Sequence, residues 1–102
     1  MPYAVIFVSK MKEAAGAGYD AVARRMEEFV KAQPGYLGID SVRNAEGEGI
    51  TVSYWDSLQA IEKWKADARH QVAQQRGRDD WYAHYKVIVA QTVRNYAHGA
   101  AA

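Results

Sequence analysis

The sequence predicts an α+β fold of ferredoxin-like order, βαββαβ, in which two helices cover one face of a four-stranded antiparallel sheet. Three observations lead there. Four runs rich in Val, Ile and aromatic residues read as strands, and two stretches between them carry apolar residues at helical spacing. The resulting order of strand, helix, strand, strand, helix, strand is that of a split βαβ sandwich. The length of 102 residues suits one core, able to bury roughly two-thirds of the surface of the unfolded chain. We therefore expect a single domain over 1–96 and a flexible tail over 97–102, where the alanine-rich end has no periodicity.

Tyr3 to Lys10 forms the first expected strand. Its pleat sets Tyr3, Val5 and Phe7 on one face and Ala4, Ile6 and Val8 on the other, so both faces are apolar. A sheet of this kind needs two covers, and the helices of so short a chain supply one. The second cover points to a partner subunit. Gly16 and Gly18 break the strand pattern, after which Tyr19, Val22, Met26, Phe29 and Val30 recur on one helical stripe up to Gln33. Pro34-Gly35 stops this helix and turns the chain.

Tyr36 to Arg43 and Ile50 to Trp55 read as a hairpin around the polar turn Asn44 to Gly49. Asp56 or Ser57 can cap a second helix carrying Leu58, Ile61, Trp64 and Ala68, with Glu62 placed to favour the positive end of its dipole. Two continuations are open beyond Asp67. An unbroken helix sets His70 about half a turn from Ile61, away from the core, whereas a break at Asp67 starts a new short helix and turns His70 inward. Gly77 ends this segment, and Tyr82 to Tyr96 is expected as a long last strand with Tyr85, Val87, Val89 and Val93 on one face.

Composition narrows the function classes. With 13 basic and 12 acidic side chains interspersed, the net charge of +1 leaves no electrostatic footprint for nucleic acid or an anionic membrane. The absence of cysteine removes disulfides, thiolate metal sites and a cysteine nucleophile together. The apolar run at Tyr3 to Val8 is too short for a membrane span and lacks the marks of a leader, so a cytoplasmic location is expected. The three histidines are scattered without metal-ligand spacing, and no phosphate-binding glycine loop, dinucleotide fingerprint or nucleophile elbow is present.

What remains is the stretch from Tyr54 to Tyr82, which holds all three tryptophans, one of the three histidines (His70) and a run of Arg and Gln. Aromatic bodies interleaved with proton-transferring and hydrogen-bonding groups are the composition of a small-molecule pocket. Within it, Tyr54-Trp55-Asp56-Ser57, Ile61, Trp64-Lys65, His70, Gln74, Gly77-Arg78, Trp81-Tyr82 and, just beyond, Tyr85 resemble the antibiotic biosynthesis monooxygenase family, in particular its small bacterial members. The resemblance runs from Tyr3 to Tyr96.

That resemblance implies a homodimer of dimeric α/β barrel type, two ferredoxin-like sheets packing face to face with the last strand reaching toward the neighbour. It also implies an activity. Members include enzymes that oxygenate phenolic or quinol-type polyketides with O2 and no metal or flavin, and others that degrade haem. Trp64 matches the helix tryptophan of the oxygenase sites, and His70 falls where the small members often have histidine. Ala60 stands where polyketide-oxidising members carry asparagine, and Ser9 where haem-degrading members do.

An oxygenase without a cofactor draws its electrons from the substrate, so the protein must bind a phenol or hydroquinone and remove its proton. His70 suits the base, since an imidazole titrates near pH ~6.5. Trp64 and Trp81 can stack on a planar ring, Tyr54 or Tyr82 can donate to a carbonyl or phenolate, and Arg76 or Arg78 can balance the developing anion. Each has a plainer role as well: core packing for Trp64, a solvated or capping position for His70, a dimer seam for Trp81 and Tyr82, and a solvated face for Arg76 and Arg78. Haem binding and degradation is the alternative activity, and a noncatalytic dimeric binding or stress-associated module the alternative to any activity.

Overall fold

The computed structural model describes residues 2–12, 18–67 and 81–99, of which 18–23 by backbone alone. Its elements are β1 (Tyr3–Met11), α1 (Gly18–Lys31), β2 (Tyr36–Arg43), β3 (Glu48–Trp55), α2 (Leu58–Ala66) and β4 (Tyr82–Gln91). The strands form one antiparallel sheet in the order β2-β3-β1-β4, the ferredoxin-like arrangement expected from the element order.

Paired residues of an antiparallel sheet point to the same side, so register assigns the faces. Tyr3 pairs with Trp55 and Val5 with Ser53. Tyr3 and Val5 pack against the core of Val30, Trp55, Ile61 and Trp64, joined by Met26, Phe29, Tyr36 and Ala60. The odd-numbered face of β1 is therefore the helix-covered one. Trp55 is 0% exposed and anchors this core. Its ring stacks on Trp64 at 6.2 Å, meets Tyr36 edge-on at 5.9 Å, and its indole N–H donates to Ser53 Oγ at 2.9 Å.

Local signals set the helix ends. The Ser57 side chain accepts from the Ala60 N–H at 3.1 Å, making Ser57 rather than Asp56 the cap. Glu62 lies beyond the first turn, which contains no acidic residue, so the expected dipole contribution is absent. α2 stops at Ala66, with Asp67 extended at ψ 134° and its N–H bonded to Trp64 O. This settles the end of α2; the continuation that carries His70 lies outside the described residues.

Two irregularities re-aim side chains. Between Tyr36 and Gly38 the β2–β3 register shifts by one, leaving Leu37 as the extra residue and bringing Tyr36 onto the helix face beside Trp55. Between β1 and β4, Lys10 pairs with His84 but Met11 with Tyr82, so Ala83 is the extra residue and Tyr82 joins Tyr85 on the helix face. The last strand is shorter than expected, ending at Gln91 rather than Tyr96. Among the described residues it pairs only with β1, which begins at Tyr3, and after the Thr92 N–H bonds to Pro2 O no described strand remains for it to pair with.

The opposite face carries Ala4, Ile6 and Val8 of β1, Val42 of β2, Ile50 and Val52 of β3, and Ile88 and Ala90 of β4. Val42 is 73% exposed and Ile50 and Ile88 more than 40%. Lys10, Glu48, His84 and Lys86 stand at one end of this apolar field.

Candidate functional site

Beyond the tryptophan core, the helix-side face continues along the sheet toward the β2–β3 turn. Phe7, Tyr82 and Tyr85 form an aromatic cluster there, with Phe7 stacked on Tyr85 at 5.3 Å and edge-on to Tyr82 at 5.4 Å, and Tyr82 to Tyr85 at 6.1 Å. These separations and tilts are those favoured by ring quadrupoles. Tyr82 takes part only because the Ala83 bulge turns it to this side.

Next in the same row come Ser9 on β1, Gly49 on β3 and Arg43 on β2, all in mutual register. Ser9 is 3% exposed. Arg43 Nη2 donates to the Ser9 hydroxyl at 2.9 Å and Nη1 to Gly47 O at 2.6 Å. The guanidinium reaches from β2 across β3 to β1 because the intervening residue has no side chain: a Cβ at Gly49 would lie 2.5 Å from Arg43 Cζ. The same carbon sits 5.9 Å from the centre of the Tyr82 ring, within cation–π range. Ser41 and Thr51, bonded to each other at 2.6 Å, complete the polar part of this surface.

The structure distributes the residues singled out from sequence unevenly. Ser9 and Tyr82 come together in this cluster. Trp64 lies in the core, its ring between Trp55 and Phe29 at 6.2 and 5.7 Å. Trp81 is buried, and its carbonyl accepts from the Lys12 N–H at 2.7 Å. Tyr54 points to the other face of the sheet, where its hydroxyl donates to Asp40 at 2.9 Å and does not join the cluster. The hydrogen bond to the Asp40 carboxylate raises the Tyr54 phenol above its ordinary range, since losing the proton would break it and set two negative charges side by side. His70, Arg76 and Arg78 lie outside the described residues.

Arg43, Phe7 and Tyr85 were not picked out as site residues. Phe7 and Tyr85 could have been found from strand alternation. Arg43 required knowing that Gly49 is its cross-strand partner. Among the described residues no three His, Asp or Glu side chains gather as a metal site, and no helix is long and apolar enough to cross a membrane.

Comparison with known proteins agrees with this architecture. The family model for antibiotic biosynthesis monooxygenase matches residues 2–76. The Bacillus subtilis (strain 168) protein YqjZ, itself uncharacterised, is 46% identical over 93 residues, covering 91% of this chain and 82% of YqjZ. Among solved structures, Rv0793 from Mycobacterium tuberculosis superposes with a TM-score of 0.82 at 17% identity, covering 95% of this chain and 100% of that one. SnoaB from Streptomyces nogalater, a cofactor-independent oxygenase, superposes with a TM-score of 0.78 at 13% identity, covering 95% and 98%. At these identities the two structures attest the fold.

Proposed function

This chain belongs to the antibiotic biosynthesis monooxygenase family, and from that premise we propose that it is a cofactor-independent monooxygenase acting with O2 on an aromatic or quinol-type small molecule. The observation that carries this reading is the helix-side cluster, where three aromatic rings stand beside a guanidinium and a buried hydroxyl. A planar substrate needs a stacking wall and a group that favours its anion, and these residues supply both. Phe7, Tyr82 and Tyr85 thus take the stacking role that Trp64 leaves by packing into the core. Trp81 borders Tyr82 at the start of β4, while Arg76 or Arg78 is proposed to stabilise the anion as it forms.

The chemistry asked of the protein is modest. A phenol or hydroquinone gives up its proton, the electron-rich anion passes electrons to O2, and the enzyme holds both in place. His70 is proposed as the base. Ser9 is engaged with Arg43, so its position on β1 offers little to the haem-degrading alternative.

Oxygen consumption measured with a panel of hydroquinones and anthrones tests the assignment. At least one of them is expected to be turned over above the protein-free rate, and His70→Ala to lose about 10²–10⁴-fold of that activity, the usual contribution of a positioned base. Equal rates for wild type and His70→Ala across the panel would remove the catalytic assignment.

We also propose that the chain works as a homodimer. The apolar field of Ile6, Val8, Val42, Ile50, Val52 and Ile88 has no cover from its own helices, which pack on the other side. Apolar surface of this extent stabilises association when a second sheet removes it from water. Sedimentation at micromolar protein is expected to give the mass of two chains, and Val42→Lys to shift it toward one. A single-chain mass for the wild type contradicts the dimer.

A further inference from the structure

Arg43 has a setting that a turn-bracing arginine does not need. Its two hydrogen-bond partners among the described residues, Ser9 Oγ and Gly47 O, are both neutral, and no carboxylate among those residues pairs with it. Neither of these neutral partners offsets its charge, and the two bonds use two of the five N–H groups of the guanidinium fork. One anchor is Ser9, a buried residue on the central strand β1, so the fork is held in place before anything binds. Preorganisation of that kind removes much of the ordering cost of recognising an anion. The gap over Gly49 is what permits it, and the nearest ring, Tyr82, belongs to the aromatic cluster.

We propose that Arg43 is the anion-recognition residue of the helix-side aromatic cluster, taking the carboxylate or phenolate oxygen of a planar aromatic molecule seated against Phe7, Tyr82 and Tyr85. Ser9 is its positioning residue. The substrate class is then an aromatic acid or an acidic phenol rather than a neutral ring. The proposal rests on reading the helix-side face as the substrate site, and it does not require that oxygen chemistry follow.

The test compares two ligands of nearly equal shape and different charge, sodium 2-naphthoate and 2-naphthamide, by calorimetric titration of the full chain. Wild type is expected to prefer the carboxylate by about tenfold or more, the range of a charge-assisted hydrogen bond. Arg43→Gln should bring the two ligands to parity, and Arg43→Lys should keep part of the preference. Gly49→Ala, which leaves the arginine but fills the space beneath its guanidinium, should also abolish it. A role confined to bracing the hairpin would alter melting temperature without moving the ratio between the two ligands. The proposal is overturned by a wild type that binds neither ligand or does not distinguish them, or by a preference that survives in both Arg43→Gln and Gly49→Ala. The oxygenase reading fails separately: an anion preference with no oxygen uptake on any substrate sinks that reading and leaves Arg43 in its role.

Discussion

Trp55→Ala is expected to remove about 3–5 kcal/mol of stability, the usual cost of truncating a buried tryptophan. Single domains hold only ~5–15 kcal/mol in total, so much of the population would unfold under mild denaturant. Trp55 is fully buried, touches Trp64 and Tyr36 ring to ring, and stands between the sheet and both helices in the one core cluster. Its removal leaves a cavity that neighbouring rings cannot collapse into without abandoning their own contacts, and deprives Ser53 Oγ of its indole donor. Guanidinium denaturation of wild type, Trp55→Ala and Tyr54→Phe measures the effect. Tyr54→Phe loses only the hydrogen bond to Asp40 on the opposite face, at about 1 kcal/mol or less. A midpoint shift for Trp55→Ala no larger than for Tyr54→Phe would show that the core has been misplaced.

The second large effect is expected at the turn between α1 and β2. Gly35 has φ +84°, which costs a residue with a Cβ about 1–2 kcal/mol, and here the Cβ would also meet Ala60 Cβ and Asp56 Oδ1 at 2.6 Å. Forcing those groups apart adds about 1–3 kcal/mol, so Gly35→Ala should cost about 2–5 kcal/mol in all. The Gly35 carbonyl also receives the Asp56 N–H at 2.9 Å, so displacement of the turn would be passed to the residue next to the Ser57 cap. Gly99 is the control. It too has positive φ, +94°, but nothing among the described residues lies within 4 Å of where its Cβ would stand, and residues 92–99 make no helix or strand that would hold that backbone angle in place. Gly99→Ala should change stability by no more than about 0.5 kcal/mol. Comparable melting temperatures for the two variants would contradict the role assigned to Gly35.

Much of this architecture could be read from residues that act within a few positions of themselves. The Pro34-Gly35 stop, a cap at Asp56 or Ser57, the hairpin turn and the amphipathic stripe of α1 depend on local geometry, and the element order they define leads to the βαββαβ sheet. The two apolar faces of β1 were legible for the same reason, because alternation along a strand needs no knowledge of its neighbours. What could not be read was register. Tyr54 and Trp55 sit side by side in sequence and looked like parts of one site, yet the pleat sends one to Asp40 and the other into the core. The extra residues Leu37 and Ala83 turn Tyr36 and Tyr82 to the helix face, and no local signal marks either of them. Arg43 looked like the polar end of a strand until pairing set Gly49 and Ser9 beside it, and β4 stopped at Gln91 because β1 begins at Tyr3. Element identity is a short-range property of the chain and was determined by sequence alone. Which side chains share a face depends on strand pairings between residues as far apart as Ser9 and Tyr85, and those only the tertiary structure decided.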